Sequence, residues 1–174
     1  MTTLKEALIV ELKSFFGEDI RRINHALKVL AFCEEIMEKE KPADKEVVIA
    51  SAILHDIGIR EGERLFNSSA PRYQEKLGPP MAREILAKIG MNFLSIQKVC
   101  DIIAHHHHPT RYLRNFPDED PLAFKILVDA DLLVNALEGD VKLQNGCLFF
   151  FSSSLNIALR ERCLAKQVFS PDIK

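Results

Sequence analysis

His55 and Asp56 stand side by side at the end of VVIASAIL, a run that is apolar on nearly every face. A helix apolar all round is normally buried. Burying an ionised carboxylate is costly unless it is paired, hydrogen-bonded or bound to a metal. Two further segments carry the same contradiction. On the preceding helical pattern His25 shares a stripe with Val29, Phe32 and Ile36, while Ile23, Leu27, Leu30 and Met37 form a second stripe. That helix is buried broadly, and His25 faces inward. In LVDADLLVNA, residues 127–136, Asp129 and Asp131 interrupt another apolar helix. Leu127, Asp131 and Val134 share one edge; Ile126, Asp129 and Leu133 share the other. Helical angle does not choose between the two aspartates, and at least one needs a cation or donors.

Two imidazoles with two carboxylates suit a divalent transition ion such as manganese, iron, cobalt, nickel or zinc. An ion so held keeps positions open for a water and a substrate oxygen. It lowers the pKa of the water and polarises a phosphoryl group, which is hydrolysis chemistry.

A run of four histidines, residues 105–108, follows a helix with the apolar stripe Ile96, Val99, Ile102 and Ile103. His106 lies on that stripe and His107 at its edge, so both are candidates for contact with substrate. His105 and His108 point elsewhere. A pocket imidazole can bind phosphate as a cation or protonate a leaving oxygen. Arginine suits bidentate phosphate recognition. Of Arg60, Arg64, Arg72, Lys76, Arg111 and Arg114, the closest in sequence to the His-Asp pair is Arg60, the expected substrate-binding cation. Glu61 and Glu63 are candidate bases.

Helices must position these residues. Thr3 and Glu6 form a capping box opening a helix to about Phe16, ended by Gly17. Asp19 caps a second helix to about Lys39, and Asp44 a third that runs through Asp56. Residues 59–78 read as a loop with short helical turns. Pro79-Pro80 opens a helix to about Ile89, and Ser95 caps the next, which fails at Pro109. Residues 108–120 read as a polar loop. Asp120-Pro121 starts a helix to about Leu137. A final helix is expected over 155–166, and the apolar CLFFF at 147–151 is either extended or a buried turn.

The bulk properties bound the function. The 174 residues are 47% hydrophobic and 28% charged, which suggests one domain, 1–174, with a sizeable core. A net charge of −2 offers no bulk attraction to nucleic acid or a membrane surface. No apolar run reaches the length of a membrane span, and the start, MTTLKEAL, lacks the apolar core of a secretory signal. Cys33, Cys100, Cys147 and Cys163 form no CxxC pair and read as reduced packing residues of a cytoplasmic protein. Oligomeric state is open.

The ordered set resembles the HD-domain superfamily of metal-dependent phosphohydrolases. A helical histidine, a His-Asp pair and a distal aspartate are matched by His25, His55-Asp56 and Asp131, the last in the Ala-Asp-x-Leu context of Ala130-Asp131-Leu132-Leu133. Arg22, HDIG, GPPMAREILAKIG and IIAHHHHP extend the resemblance over about residues 20–138, followed by a helical extension over 147–174. It implies an all-α, single-domain helical bundle with a metal site among its central helices. It implies His25, His55, Asp56 and Asp131 as ligands of one divalent ion, and Asp129 as a neighbour that orients a ligand. Asp56 and His106 become the catalytic pair, and Arg60, His106 and His107 the contacts to a small phosphate ester such as a nucleotide. Binuclear relatives carry a His-x-x-x-Gly helix; counting back from Gly78 lands on Gln74, so a second ion is not expected. A Gly-Tyr-Pro motif after the histidines is missing, which argues against cyclic-dinucleotide cleavage. A di-iron oxygenase and a non-catalytic metal-binding scaffold are the alternatives.

Overall fold

The computed structural model describes residues 2–115 and 121–139. Every element among them is a helix: α1 Leu4–Phe16, α2 Ile20–Met37, α3 Lys45–Leu54, α4 Ile59–Phe66, α5 Pro71–Lys88, α6 Phe93–His105, α7 Pro109–Asn115 and α8 Leu122–Glu138. The expected extension over 147–174, the 155–166 helix, and Cys147 and Cys163 lie outside the described residues.

The caps read from sequence set the starts of α1, α2 and α3. The Thr3 hydroxyl accepts from the Glu6 N–H while the Glu6 carboxylate accepts from the Thr3 N–H. Asp19 and Asp44 carboxylates accept from the N–H groups of Arg22 and Val47. The core is built around α3, whose Val47, Val48, Ala50, Ala52, Ile53 and Leu54 are all buried. It packs against α1, α2, α6 and α8, and α2 packs against α8. Cys33 and Cys100 are buried free thiols, one on α2 and one on α6, as packing residues should be.

Several boundaries differ from the sequence reading. The third helix stops at Leu54, so His55 and Asp56 begin the turn 55–58 that joins α3 to α4. Residues 59–78, expected as a loop with short helical turns, hold α4, a short link over 67–70 and the first part of α5. Pro79 and Pro80 lie inside α5 instead of opening it, although they remove two intrahelical donors. Packing against α6 and α4 holds the helix through this interruption. The cap of α6 is Asn92, whose side chain accepts from the Ser95 N–H, while the Ser95 hydroxyl accepts from the Asn92 amide. The stretch taken as a polar loop after His108 contains α7.

Gly58 of HDIG is required by space. A Cβ there would lie 2.7 Å from the Gln74 carbonyl oxygen and 2.7 Å from the Gly78 nitrogen. The turn bearing His55 and Asp56 therefore rests directly on the backbone of α5. Gly78 repeats the device, because a Cβ would meet Ile103 of α6 at 2.7 Å. Two glycines thus set the distance from the His-Asp turn through α5 to the helix that ends in the histidine run.

Candidate metal centre

Three chain segments converge beside the end of α3. His25 comes from α2, Asp131 from α8, and His55 and Asp56 from the turn. A regular helix would point adjacent side chains about 100° apart. The turn, tightened by Ile57 N–H to Leu54 O and Ile59 N–H to Asp56 O at 3.0 Å each, brings them together instead. His25 Nε2 is 3.1 Å from Asp131 Oδ1 and 3.9 Å from Asp56 Oδ2. His55 Nε2 is 3.4 Å from Asp56 Oδ2 and 3.6 Å from Asp131 Oδ1. His25, His55 and Asp56 offer ligand atoms within 4.8 Å of one another.

Hydrogen bonding on the far side of each ring prepares it for a ligand role. His55 Nδ1–H donates to the Ala52 carbonyl at 3.0 Å. His106 Nδ1–H donates to the Ile103 carbonyl at 2.9 Å. In both, Nε2 is buried and has no hydrogen-bond partner among the described residues. An orphaned buried nitrogen is costly, and two of them face Asp56. His106 Nε2 lies 3.7 Å from Asp56 Oδ1. The donor set of imidazole nitrogens and carboxylate oxygens fits a divalent transition ion, with His25, His55, Asp56 and Asp131 as its holders.

The electrostatics agree. Burial alone would raise the carboxyl pKa of Asp56, yet His55 and His106 hold it well below the usual range. Burial likewise opposes ionisation of Asp131, and the neighbouring His25 and His55 pull it down strongly. Burial would deprotonate His55, but Asp56 and Asp131 raise it well above an ordinary histidine. His25 is lowered by burial and raised on balance by Asp131 and Glu138. The cluster concentrates negative potential at one point, which protons or a dication can neutralise.

A cleft of about 260 Å³ opens onto these groups, lined by Arg21, Arg22, His25, Asp56, Ile59, Ser69, Gln74, His107, Asp131, Asn135 and Glu138. His107 is in it, with Nε2 3.1 Å from Gln74 Oε1. The Gln74 amide is oriented by its NH₂ donating to the Ser69 carbonyl at 2.6 Å, so Oε1 is the acceptor and His107 donates. Burial, then His106, pushes His107 down to about 4, so it is a neutral donor at neutral pH. Asp56, His106 and His107 form a second group able to hold an ion, sharing Asp56 with the first.

Other expected residues lie elsewhere. Arg60 donates to the Phe15 carbonyl and sits over the Phe15 ring at 5.5 Å; it turns toward α1 and does not line the cleft. The cations that do line it are Arg21 and Arg22, with Arg22 also paired to Asp19 and to Glu63. Glu61 pairs with Arg64, so neither glutamate stands over the centre as a base. Asp129 is completely buried and does not line the cleft. His105 bonds the Asp101 carbonyl and His108 lies near Glu75, both away from the centre. Asn135 and Glu138 were not anticipated. Their signal was present: Asp131, Asn135 and Glu138 recur at four and seven residues along one face of α8, and Arg21 is four residues before His25.

The model of the HD domain matches residues 22–136, well over half of the chain and spanning every residue of the centre. The chain belongs to the HD domain family. No curated protein and no solved structure matches it. HD domains are typically metal-dependent hydrolases, and this one keeps the histidine and aspartate groups that can hold a metal. No described helix is long and apolar enough to cross a membrane.

Proposed function

We propose that this HD domain is a metal-dependent phosphohydrolase that cleaves a small phosphate ester in the cytoplasm. The observation that carries the reading is the pair of buried, unpartnered Nε2 atoms of His55 and His106 facing one carboxylate, Asp56. A bound cation gives these buried nitrogens and the carboxylate between them the partners that the described residues do not supply.

A divalent ion held by His25, His55, Asp56 and Asp131 would supply Lewis acidity, making a water more acidic and the phosphorus of a polarised phosphoryl group more electrophilic. The chain's own residues do the rest. Asp56 presents a second oxygen, Oδ1, toward His106, and can accept a hydrogen bond that orients the attacking water. His106 directs Nε2 to the same place, where an imidazole can pass a proton to a leaving oxygen. His107 keeps its one N–H on Gln74 and shapes the cleft wall, and Arg21 and Arg22 line the same cleft, where guanidinium groups can hold the phosphate. The cleft size favours a small ester.

A second reading, an oxygenase with two irons, draws on the group formed by Asp56, His106 and His107. Gln74 takes a hydrogen bond from His107 and is a poor ligand, which favours the hydrolase. The deciding experiment is phosphate release from a panel of phosphate esters with Mn²⁺, Co²⁺, Ni²⁺ or Mg²⁺. Turnover should require the metal and vanish in Asp56→Ala. Turnover that survives both chelation and Asp56→Ala overturns the assignment.

A further inference from the structure

His25 is held differently from the other two histidines of the centre. The rings of His55 and His106 are 0% and 1% exposed, clamped by packing and by backbone carbonyls. The His25 ring is 13% exposed and has no such clamp on its Nδ1 side. There it meets Glu138, whose Oε2 is 3.0 Å from Nδ1. Its Nε2 meets Asp131 Oδ1 at 3.1 Å. Both partners lie on α8, two turns apart on one face, so α8 grips the ring at both nitrogens. Glu138 is in turn fixed to α2 by Lys28, whose Nζ is 2.6 Å from Oε1. A surface ion pair between Lys28 and Glu138 would not need the imidazole at all. Here the second carboxylate oxygen is directed onto it.

We propose that Glu138 is a positioning residue for His25: its carboxylate accepts the Nδ1–H, fixes the ring so that Nε2 points into the centre, and makes that nitrogen a stronger donor to a metal. The inference rests on the metal-binding reading above. Glu138 is the last residue of α8, before Gly139 at φ 83°, so the end of this helix is tied to the metal centre through one ring.

The test uses Zn²⁺ as probe on the full chain. Affinity is read by competition with a chromophoric chelator, and the His25 Nδ1–H by proton–nitrogen NMR of the zinc-loaded protein. Glu138→Ala should lose the protected ring proton and bind Zn²⁺ about 10–100-fold more weakly. Glu138→Gln keeps an acceptor oxygen but no charge; it should keep the ring proton and bind with affinity between the two. Should Glu138→Ala fail to fold, the isosteric Glu138→Gln alone decides, because unchanged affinity in it overturns the proposal. Wild-type affinity with an unchanged ring proton in Glu138→Ala also overturns it, leaving the metal reading intact. A wild-type protein that binds no Zn²⁺ refutes the metal reading and this inference together.

Discussion

Asp131 and Asp129 are two residues apart on one helix, yet only Asp131 enters the centre. Its Oδ1 meets His25 and His55 and accepts from the Asn135 amide at 3.0 Å. Asp131→Asn keeps the shape and removes a negative charge from the ligand set. We expect it to lose most Mn²⁺ affinity in an equilibrium titration. Asp129→Asn should weaken binding by about 10–100-fold or less and retain activity, as expected of a group that supports ligands without being one. An empty Asp129→Asn with a loaded Asp131→Asn would shift the ligand assignment by two residues. At this scale the sequence was legible where a polar group sat on an apolar face: His25, His55, Asp56 and His106 are all in the centre. It was not legible where two edges of one helix were equivalent, as for the two aspartates. Nor was it legible where a long side chain chose its partner in three dimensions. Arg60 is close to the His-Asp pair in sequence, but the Phe15 carbonyl and ring draw it to α1.

Among the elements, the join between α3 and α5 matters most. Gly58 meets the α5 backbone so closely that Gly58→Ala cannot be relieved by a side-chain rotation. Overpacking of this kind costs roughly 1–3 kcal/mol, so thermal unfolding should begin at lower temperature. The displaced turn should also weaken metal binding, because it carries His55 and Asp56. A variant with wild-type stability and metal affinity would show that the contact is not tight in solution. The caps of α1, α2 and α3 were readable because a capping side chain acts on its own neighbours in sequence. α4 and the start of α5 were not. Their polar, proline-bearing sequence gives weak local signals, and the contacts that hold them come from distant residues of the fold. The glycine of HDIG lets a second backbone approach, a role set by residues distant in sequence.

For the molecule as a whole, a bound metal would tie α2 to α8. Its expected ligands span residues 25–131, so an ion that binds only the folded chain should stabilise every helix at once. At free metal about 100 times the dissociation constant, the gain is about 2.7 kcal/mol, visible as a rise in melting temperature that chelation reverses. His55→Ala should abolish the metal-dependent part of that rise. The all-helical class and single core were legible from helical periodicity and caps. The packing order of the helices was not, because it depends on which buried faces meet. The measurement that tests the account most directly is a Mn²⁺ titration of chelator-stripped protein, following free Mn²⁺ by electron paramagnetic resonance. Wild-type protein should take up about one ion per chain tightly, as its single set of four ligands predicts, and Asp56→Ala should take up none. Equal uptake by wild type and Asp56→Ala, or no uptake by either, would contradict it.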